Sequence, residues 1–160
     1  MNIDSIKNGI VIDHITAGKS LEIYHLLGLE NLDCPVALIK NVVSKKMHKK
    51  DIIKIDNEYD INTEILGFVD PKATVNIIKD GKITEKKTLE LPEKLKGILK
   101  CKNPRCITSC EQEIEHIFVL SDRQKGEYRC AYCETKVNRT GDYGREIIEK
   151  EVQSKGTKRI

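Results

Sequence analysis

Short apolar runs alternate with polar turns through the first ninety residues, and the spacing predicts strands and helices in turn. A β-branched run at residues 10–16 predicts the first strand, because such side chains pack well on a pleated surface. Ser20 is suited to cap the following helix and Gly28 to end it. The buried side of this helix is predicted to carry four side chains, Leu21, Ile23, Tyr24 and Leu27.

Five further elements follow the same pattern. They are two strands at residues 35–43 and 52–55, a helix at 63–68, and two more strands at 74–79 and 82–89. Pro71 makes continuation of the helix unfavourable, and Asp80-Gly81 is typical of a tight hairpin turn. This order predicts an α+β, ferredoxin-like sandwich, in which an antiparallel sheet carries two helices on one face.

The pattern changes at residues 91–99, where Pro92 is suited to start a helical turn and Gly97 to interrupt it. We therefore predict a domain boundary here, with a first domain at 1–92 and a small all-β domain at 93–160. The second domain is predicted to hold one strand at residues 115–120 and another near Tyr128 and Arg129. A solvated charged helix is predicted after Gly144.

Composition narrows the function classes. The chain has 160 residues, of which 39% are apolar and 33% charged, with a net charge of +3. Acidic residues are interleaved with the lysines, which argues against a nucleic-acid binder. No apolar stretch approaches the ~20 residues of a membrane span, and residues 1–4 lack signal-peptide features. We expect a cytosolic protein, whose six cysteines are candidate metal ligands rather than disulfides.

Four cysteines form two closely spaced pairs, Cys101 with Cys106 and Cys130 with Cys133. Such spacings match tetrahedral zinc, and a full set of four thiolates makes a structural site without an open position for substrate. One zinc ion per chain would stabilise a domain too small to rely on its own core. The alternative is that the four cysteines are buried without a metal.

The other two cysteines and a nearby histidine lie outside these pairs. Cys110 and His116 are alternative ligands, although a lone cysteine or histidine is more often packed or exposed. Cys34 has no partner in the sequence, and we expect it to be a small core residue.

Residues 17–20, Ala-Gly-Lys-Ser, follow a strand and open a helix as the end of a phosphate-binding loop does. That motif requires a glycine five positions before Gly18, where Asp13 stands. A carboxylate at this position would repel phosphates. We therefore exclude a phosphate-binding loop of this type.

A different anion site is possible on the sheet. Asp13 can accept ribose hydroxyls and His14 can donate to a phosphate, although adjacent residues of a regular strand point to opposite faces. Lys50 and Lys54 alternate along one strand, which places both amines on one face, and Lys86 follows the hairpin. The alternative is that these are ordinary solvated lysines.

Several motifs together resemble the regulatory chain of aspartate carbamoyltransferase. They are GIVIDHI at residues 9–15, KDIIKI at 50–55, PKATVN at 71–76 and the two cysteine pairs. They occur in the family's order, and the resemblance covers nearly the whole chain.

The resemblance implies an N-terminal allosteric domain that binds CTP or ATP and a zinc domain that contacts the catalytic chain, with regulatory dimers bridging catalytic trimers. Asp13 and Lys54 would meet ribose and base, His14 and Lys86 would meet phosphates, and Lys50 would line the pocket. Five residues would complete its walls or supply backbone contacts, namely Ile6, Val11, Asn76, Ile78 and Ile83.

The expected function is thus non-catalytic, allosteric control of pyrimidine biosynthesis. Gly81 stands where the family often has a larger side chain, which leaves only a backbone contact to the base. The alternative hypothesis is a zinc-ribbon nucleic-acid-binding protein, recognisable by salt-dependent binding. A stand-alone enzyme is not supported, because we identify no nucleophile paired with a base and no open metal position.

Overall fold

A computed structural model describes residues 5–138, so the charged helix predicted after Gly144 lies outside the described residues. The described chain divides into two compact units between Glu90 and Leu91. Within this part of the chain, no helix is both long and apolar enough to cross a membrane.

The first unit is a five-stranded antiparallel sheet with two α-helices and a short 3-10 helix (Leu29–Asn31). Its elements are β1 (Gly9–Thr16), α1 (Ser20–Leu26), β2 (Val36–Ser44), β3 (His48–Ile55), α2 (Thr63–Val69), β4 (Thr74–Lys79) and β5 (Lys82–Thr88). The strand order is β2-β3-β1-β4-β5, and every neighbouring pair is antiparallel. The α+β fold predicted from the sequence is confirmed.

The core of this unit lies on one face of the sheet. Ile12 of β1 and Ile53 of β3 oppose each other and are fully buried, as are Ile23 of α1 and Phe68 of α2. Burial of such side chains removes apolar surface from water at about 25 cal/mol per Å². The opposite face of the sheet carries charged residues, Lys54 and Lys86, among apolar ones such as Val11.

The first helix differs from its prediction in two respects. Ser20 does not cap α1, because its hydroxyl donates instead to the carboxylate of Asp51, over 2.6 Å, and Lys19 occupies the cap position. Leu21 is 53% exposed. It precedes the buried Ile23 by two positions, about 200° around the helix, so the two cannot share a face.

Both predicted turns of the first unit are confirmed. Gly28 has φ 68° in the left-handed region and follows the last turn of α1. Asp80 and Gly81 have φ 53° and 76°, as a two-residue hairpin with both central residues in positive φ requires.

The second unit is a four-stranded antiparallel sheet with one helical turn. Its elements are β6 (Lys94–Lys96), α3 (Ile107–Cys110), β7 (Ile117–Asp122), β8 (Glu127–Cys130) and β9 (Lys136–Asn138), in the order β6-β7-β8-β9. Phe118 and Tyr128 fill its core together with Leu95.

The helical turn predicted at residues 91–99 is wrong. This segment forms β6, which pairs with β7 through Leu95 opposite Phe118. The pairing buries Leu95 completely, and this tertiary contact outweighs the local preference of Pro92. Gly97, with φ 70°, follows the strand directly.

Candidate functional site

The strand register of the first unit aligns one residue from each of its five strands in a row across the sheet. Ala37 opposes Lys54, Lys54 opposes Val11, Val11 opposes Asn76, and Asn76 opposes Lys86. Directly opposed residues of antiparallel strands share a face. Four residues predicted for nucleotide binding are therefore neighbours on the face away from the core.

A β-bulge brings Asp13 and His14 together beside this row. Ile12 opposes Ile53 but Ile15 opposes Asp51, so β1 has one extra residue, and His14 adopts φ 57°. Nδ1 of His14 lies 3.9 Å from Oδ2 of Asp13, so the two side chains do not point to opposite faces as in a regular strand, because a bulge interrupts the alternation.

Thr74 completes this corner of the face. It opposes Asp13 across the β1–β4 ladder, and its hydroxyl lies 3.2 Å from Nδ1 of His14. The His14 amide donates to Oδ1 of Asp13 over 2.6 Å. Thr74 is not among the residues predicted for the site, although its place in the PKATVN motif, two residues before Asn76 on the same strand, indicates the same face.

Lys50 forms an ion pair with Asp13. Its ammonium nitrogen lies 2.9 Å from Oδ1, and the two side chains are only 16% and 20% exposed. Burial raises the pKa of Asp13, but the hydrogen bonds from Lys50 and from the His14 amide outweigh it, and the net pKa lies below the ordinary 3.8. Asp13 is therefore ionised at neutral pH.

Asn76 leaves one buried acceptor unused. Its Oδ1 atom is buried and has no hydrogen-bond partner within residues 5–138. A buried acceptor without a donor costs about 1–3 kcal/mol. A ligand that supplies a donor at this point of the row would remove that cost.

A cavity of about 260 Å³ opens at the Lys54 end of the row. It is lined by Ser5, Ile6, Pro35, Val36, Ala37, Lys54 and Asp56. Gly9 allows Ile6 to approach β1, because a Cβ at Gly9 would overlap the carbonyl oxygen of Ile55 and a methyl group of Ile6. The predicted site residue Ile6 is thus placed beside Lys54.

The hairpin end of the face holds the remaining predicted residues. Ile78 opposes Ile83, which is exposed on the edge strand, as is Lys86. The Gly81 amide donates to the carbonyl of Lys7 over 2.9 Å, so only the Gly81 carbonyl remains for a backbone contact.

The four paired cysteines of the second unit converge. Their sulfur atoms all lie within 4.8 Å of one another, with 3.6 Å between Cys101 and Cys133 and 3.7 Å between Cys106 and Cys130. Zn–S bonds of about 2.3 Å in a tetrahedron place neighbouring sulfurs about 3.8 Å apart. The cluster therefore fits a structural zinc ion.

Two threonines support the thiols from outside the cluster. The Thr108 hydroxyl lies 3.0 Å from the Cys106 sulfur, and the Thr135 hydroxyl lies 3.1 Å from that of Cys133. The Thr135 hydroxyl is the main cause that lowers the pKa of Cys133 to about 6, whereas burial raises that of Cys101 to about 12. Zinc binds thiolates, so its charge would favour ionisation of the buried thiol.

The alternative ligands lie outside the cluster. Cys110 is exposed, and its thiol points to the carbonyl of Pro104. Nδ1 of His116 accepts a hydrogen bond from the Cys101 amide over 3.1 Å, which orients the ring toward the backbone. Cys34 is half-buried rather than a core residue, and burial raises the pKa of its thiol.

Comparison with known proteins agrees with the two units. Residues 1–90 match the family described as aspartate carbamoyltransferase regulatory chain, allosteric domain, and residues 93–141 match the metal binding domain of the same chain. These matches do not favour the nucleic-acid-binding alternative.

Curated relatives carry the same name, aspartate carbamoyltransferase regulatory chain. The chain is 55% identical over 135 residues to a relative from Clostridium tetani, covering 84% of this chain and 94% of the relative. Identity is 54% over 134 residues for Clostridium acetobutylicum and 46% over 134 for Bifidobacterium longum, covering 84% of this chain and 92% and 96% of the relatives. The chain belongs to the family of aspartate carbamoyltransferase regulatory chains, with an allosteric domain followed by a metal-binding domain.

Proposed function

We propose that this chain is a non-catalytic subunit that binds CTP or ATP on the open face of its first domain and docks on the catalytic chain of aspartate carbamoyltransferase through its second. The observation that carries this proposal is the row from Lys54 through Val11 and Asn76 to Lys86, with Asp13 beside it. Such a subunit would regulate pyrimidine biosynthesis in the cytosol.

The charges of the face suit the parts of a nucleoside triphosphate. Lys86, Lys50 and His14 would donate to phosphate oxygens, and a cation is a strong donor to such an anion. The Asp13 carboxylate would accept ribose hydroxyls beside Lys54. The cavity next to Ile6 would receive the base at the Lys54 end of the row. Val11, Ile78 and Ile83 would supply apolar contacts on the rest of the face, toward the hairpin.

The Asp13–Lys50 ion pair has a role in the nucleotide-free chain. The Asp13 carboxylate, 2.9 Å away, neutralises the charge of the partly buried Lys50 side chain. A triphosphate would compete with Asp13 for Lys50 and free the carboxylate for the ribose. Binding would thus rearrange charges at the bulge.

The domain roles follow the division of the chain. We assign nucleotide binding to residues 1–92 and docking to the zinc domain at 93–160. Exposed apolar side chains next to the metal ligands, Ile107 after Cys106 and Tyr132 before Cys133, support a docking surface on the second domain. Four thiolate ligands leave zinc no open position for catalysis.

A homodimer through β2 is supported by its position at the edge of the sheet. This strand has nine residues, and Val43 is 86% exposed. An exposed, largely apolar edge strand is a template for pairing with another chain. The other edge strand, β5, is rich in lysine, which disfavours such pairing.

Control of the enzyme requires coupling between distinct sites. Coupling energies of roughly 1 to 3 kcal/mol alter affinity several-fold up to about a hundredfold. CTP and ATP would then differ in which of two quaternary states they stabilise. Partners of this chain are therefore the nucleotides, a second copy and the catalytic chain, with no nucleic acid or membrane.

Titration calorimetry tests the nucleotide face. Lys54→Ala and Lys86→Ala should each weaken CTP binding about tenfold or more, because each removes a charged hydrogen-bond donor. Lys87→Ala is the matched control, since Lys87 follows Lys86 on β5 but opposes the buried Val75 on the other face. Unchanged affinity in both test variants, or an equal loss in the control, would reject this site.

A further inference from the structure

Asp70 binds the end of β1 from the far side of the bulge. It is 1% exposed and lies at the end of α2. Its Oδ2 atom accepts the Thr16 amide over 2.6 Å, and Oδ1 accepts the Thr16 hydroxyl over 3.1 Å and the Lys72 amide over 3.3 Å. One carboxylate therefore joins β1 to the turn that leads into β4.

Asp51 holds the next residues of the same segment. It is 0% exposed, and its Oδ2 atom accepts the Gly18 amide at 3.1 Å and both the amide and the hydroxyl of Ser20, at 3.3 and 2.6 Å. Oδ1 accepts the Asn41 amide over 3.0 Å. Burial raises the pKa of Asp51, but these hydrogen bonds outweigh it, so the net pKa is lowered.

The bulge needs support of this kind. His14 has φ 57°, a conformation that an L residue adopts only when the surrounding structure favours it. The segment 16–20 that follows is fixed by Asp70 and then by Asp51. Asp70 also begins the turn that leads to Thr74, whose hydroxyl meets the His14 ring at 3.2 Å. The hydrogen bonds of the two carboxylates to segment 16–20 and the contact of Thr74 with the ring both restrict where His14 can lie.

We propose that Asp51 and Asp70 are positioning residues, which hold the Asp13–His14 bulge in the arrangement that binds a nucleotide. The proposal rests on the proposed function of the open face. Neither carboxylate belongs to that face, because Asp51 is adjacent to Lys50 in β3 and opposes Ile15 of the core, and Asp70 bonds Thr16 beyond the bulge. They act through the backbone that they bind.

The isosteric variants Asp51→Asn and Asp70→Asn test the proposal in the full, zinc-loaded chain. Each of the two oxygens of either carboxylate accepts a backbone amide. Whichever way the asparagine amide is oriented, its NH2 group therefore faces a backbone N–H, and the two donors cannot form a hydrogen bond. We expect CTP affinity to fall about tenfold, the lower end of the loss caused by mutating residues that orient metal ligands.

A readout beyond affinity separates positioning from mere loss of stability. The ring nitrogen resonances of His14, measured by NMR well below the unfolding temperature, should shift in both variants as the contact with Thr74 changes. Asn62→Ala is the matched control, because the Asn62 side chain caps α2 through the amides of Glu64 and Ile65 and lies outside segment 13–20. It should lower stability but leave His14 and CTP affinity unchanged.

The outcomes distinguish the two proposals. If wild type binds CTP through Lys54 and Lys86 but both asparagine variants bind it as tightly, with unchanged His14 resonances, the positioning role is wrong and the nucleotide face stands. If the asparagine variants lose no more affinity than Asn62→Ala, the role is also wrong. If wild type does not bind CTP, the proposed function itself fails.

Discussion

At the scale of single residues, Asp13 shows how burial and charge compete for one proton. Burial favours the neutral acid, whereas the ammonium of Lys50 and the amide of His14 favour the carboxylate. The carboxylate is favoured overall, so the folded chain binds this proton less readily than the unfolded chain. The ion pair is therefore coupled to the stability of the first unit.

The pH dependence follows from the lowered pKa of Asp13. The stabilisation should be fully present above the ordinary value of 3.8 and lost as pH falls through the folded value. Urea unfolding of wild type and Asp13→Asn should differ by about 1 kcal/mol near pH 7, and this difference should shrink below about pH 4. A difference independent of pH across this range would contradict the account of Asp13.

Residue chemistry was only partly predictable from sequence. Alternation along β3 correctly predicted Lys50 and Lys54 on one face, because a regular strand has a period of two. The bulge at Asp13–His14 could not be predicted, since one inserted residue leaves no pattern in the sequence. The contact between Thr74 and His14, sixty residues apart in sequence, depends on this bulge, although the position of Thr74 two residues before Asn76 indicates its face.

At the scale of elements, the β4–β5 hairpin depends on its turn. Gly81 has φ 76°, and nothing lies within 4 Å of a Cβ built on it. Any cost of substitution there comes from backbone conformation alone. Substitution of Gly81 therefore measures the effect of backbone strain on stability without a change in packing.

We expect Gly81→Ala to lower the free energy of unfolding by about 1 kcal/mol, because an L residue with a Cβ is disfavoured in the left-handed region. Gly81→Asn should cost less, since asparagine tolerates this conformation better. Thermal unfolding followed by circular dichroism measures both. Equal stability of Gly81→Ala and wild type would contradict the turn geometry.

Element prediction succeeded where local chemistry decides and failed where distant contacts do. Asp80-Gly81 specifies its own turn, and Gly28 ends α1 by its left-handed backbone. By contrast, β6 forms because Leu95 pairs with Phe118, more than twenty residues along the chain. Pro92 and Gly97 gave no indication of that pairing.

At the scale of the whole molecule, two units carry two different kinds of chemistry. The first has a polar sheet face with cations from β3 and β5, and the second has a four-thiol cluster that fits zinc. The cluster was predictable because its four cysteine ligands occur in the sequence as two closely spaced pairs. Family membership joins the two units in one regulatory chain.

The most direct test is to reconstitute this chain with catalytic chains of aspartate carbamoyltransferase and to measure how carbamoyl aspartate formation depends on aspartate concentration, with and without CTP. We expect that CTP shifts this dependence with the wild-type chain, that Lys54→Ala assembles but responds much less, and that a zinc-depleted chain does not assemble. Failure of the zinc-loaded wild type to form a complex, or an equal CTP response with Lys54→Ala, would contradict it.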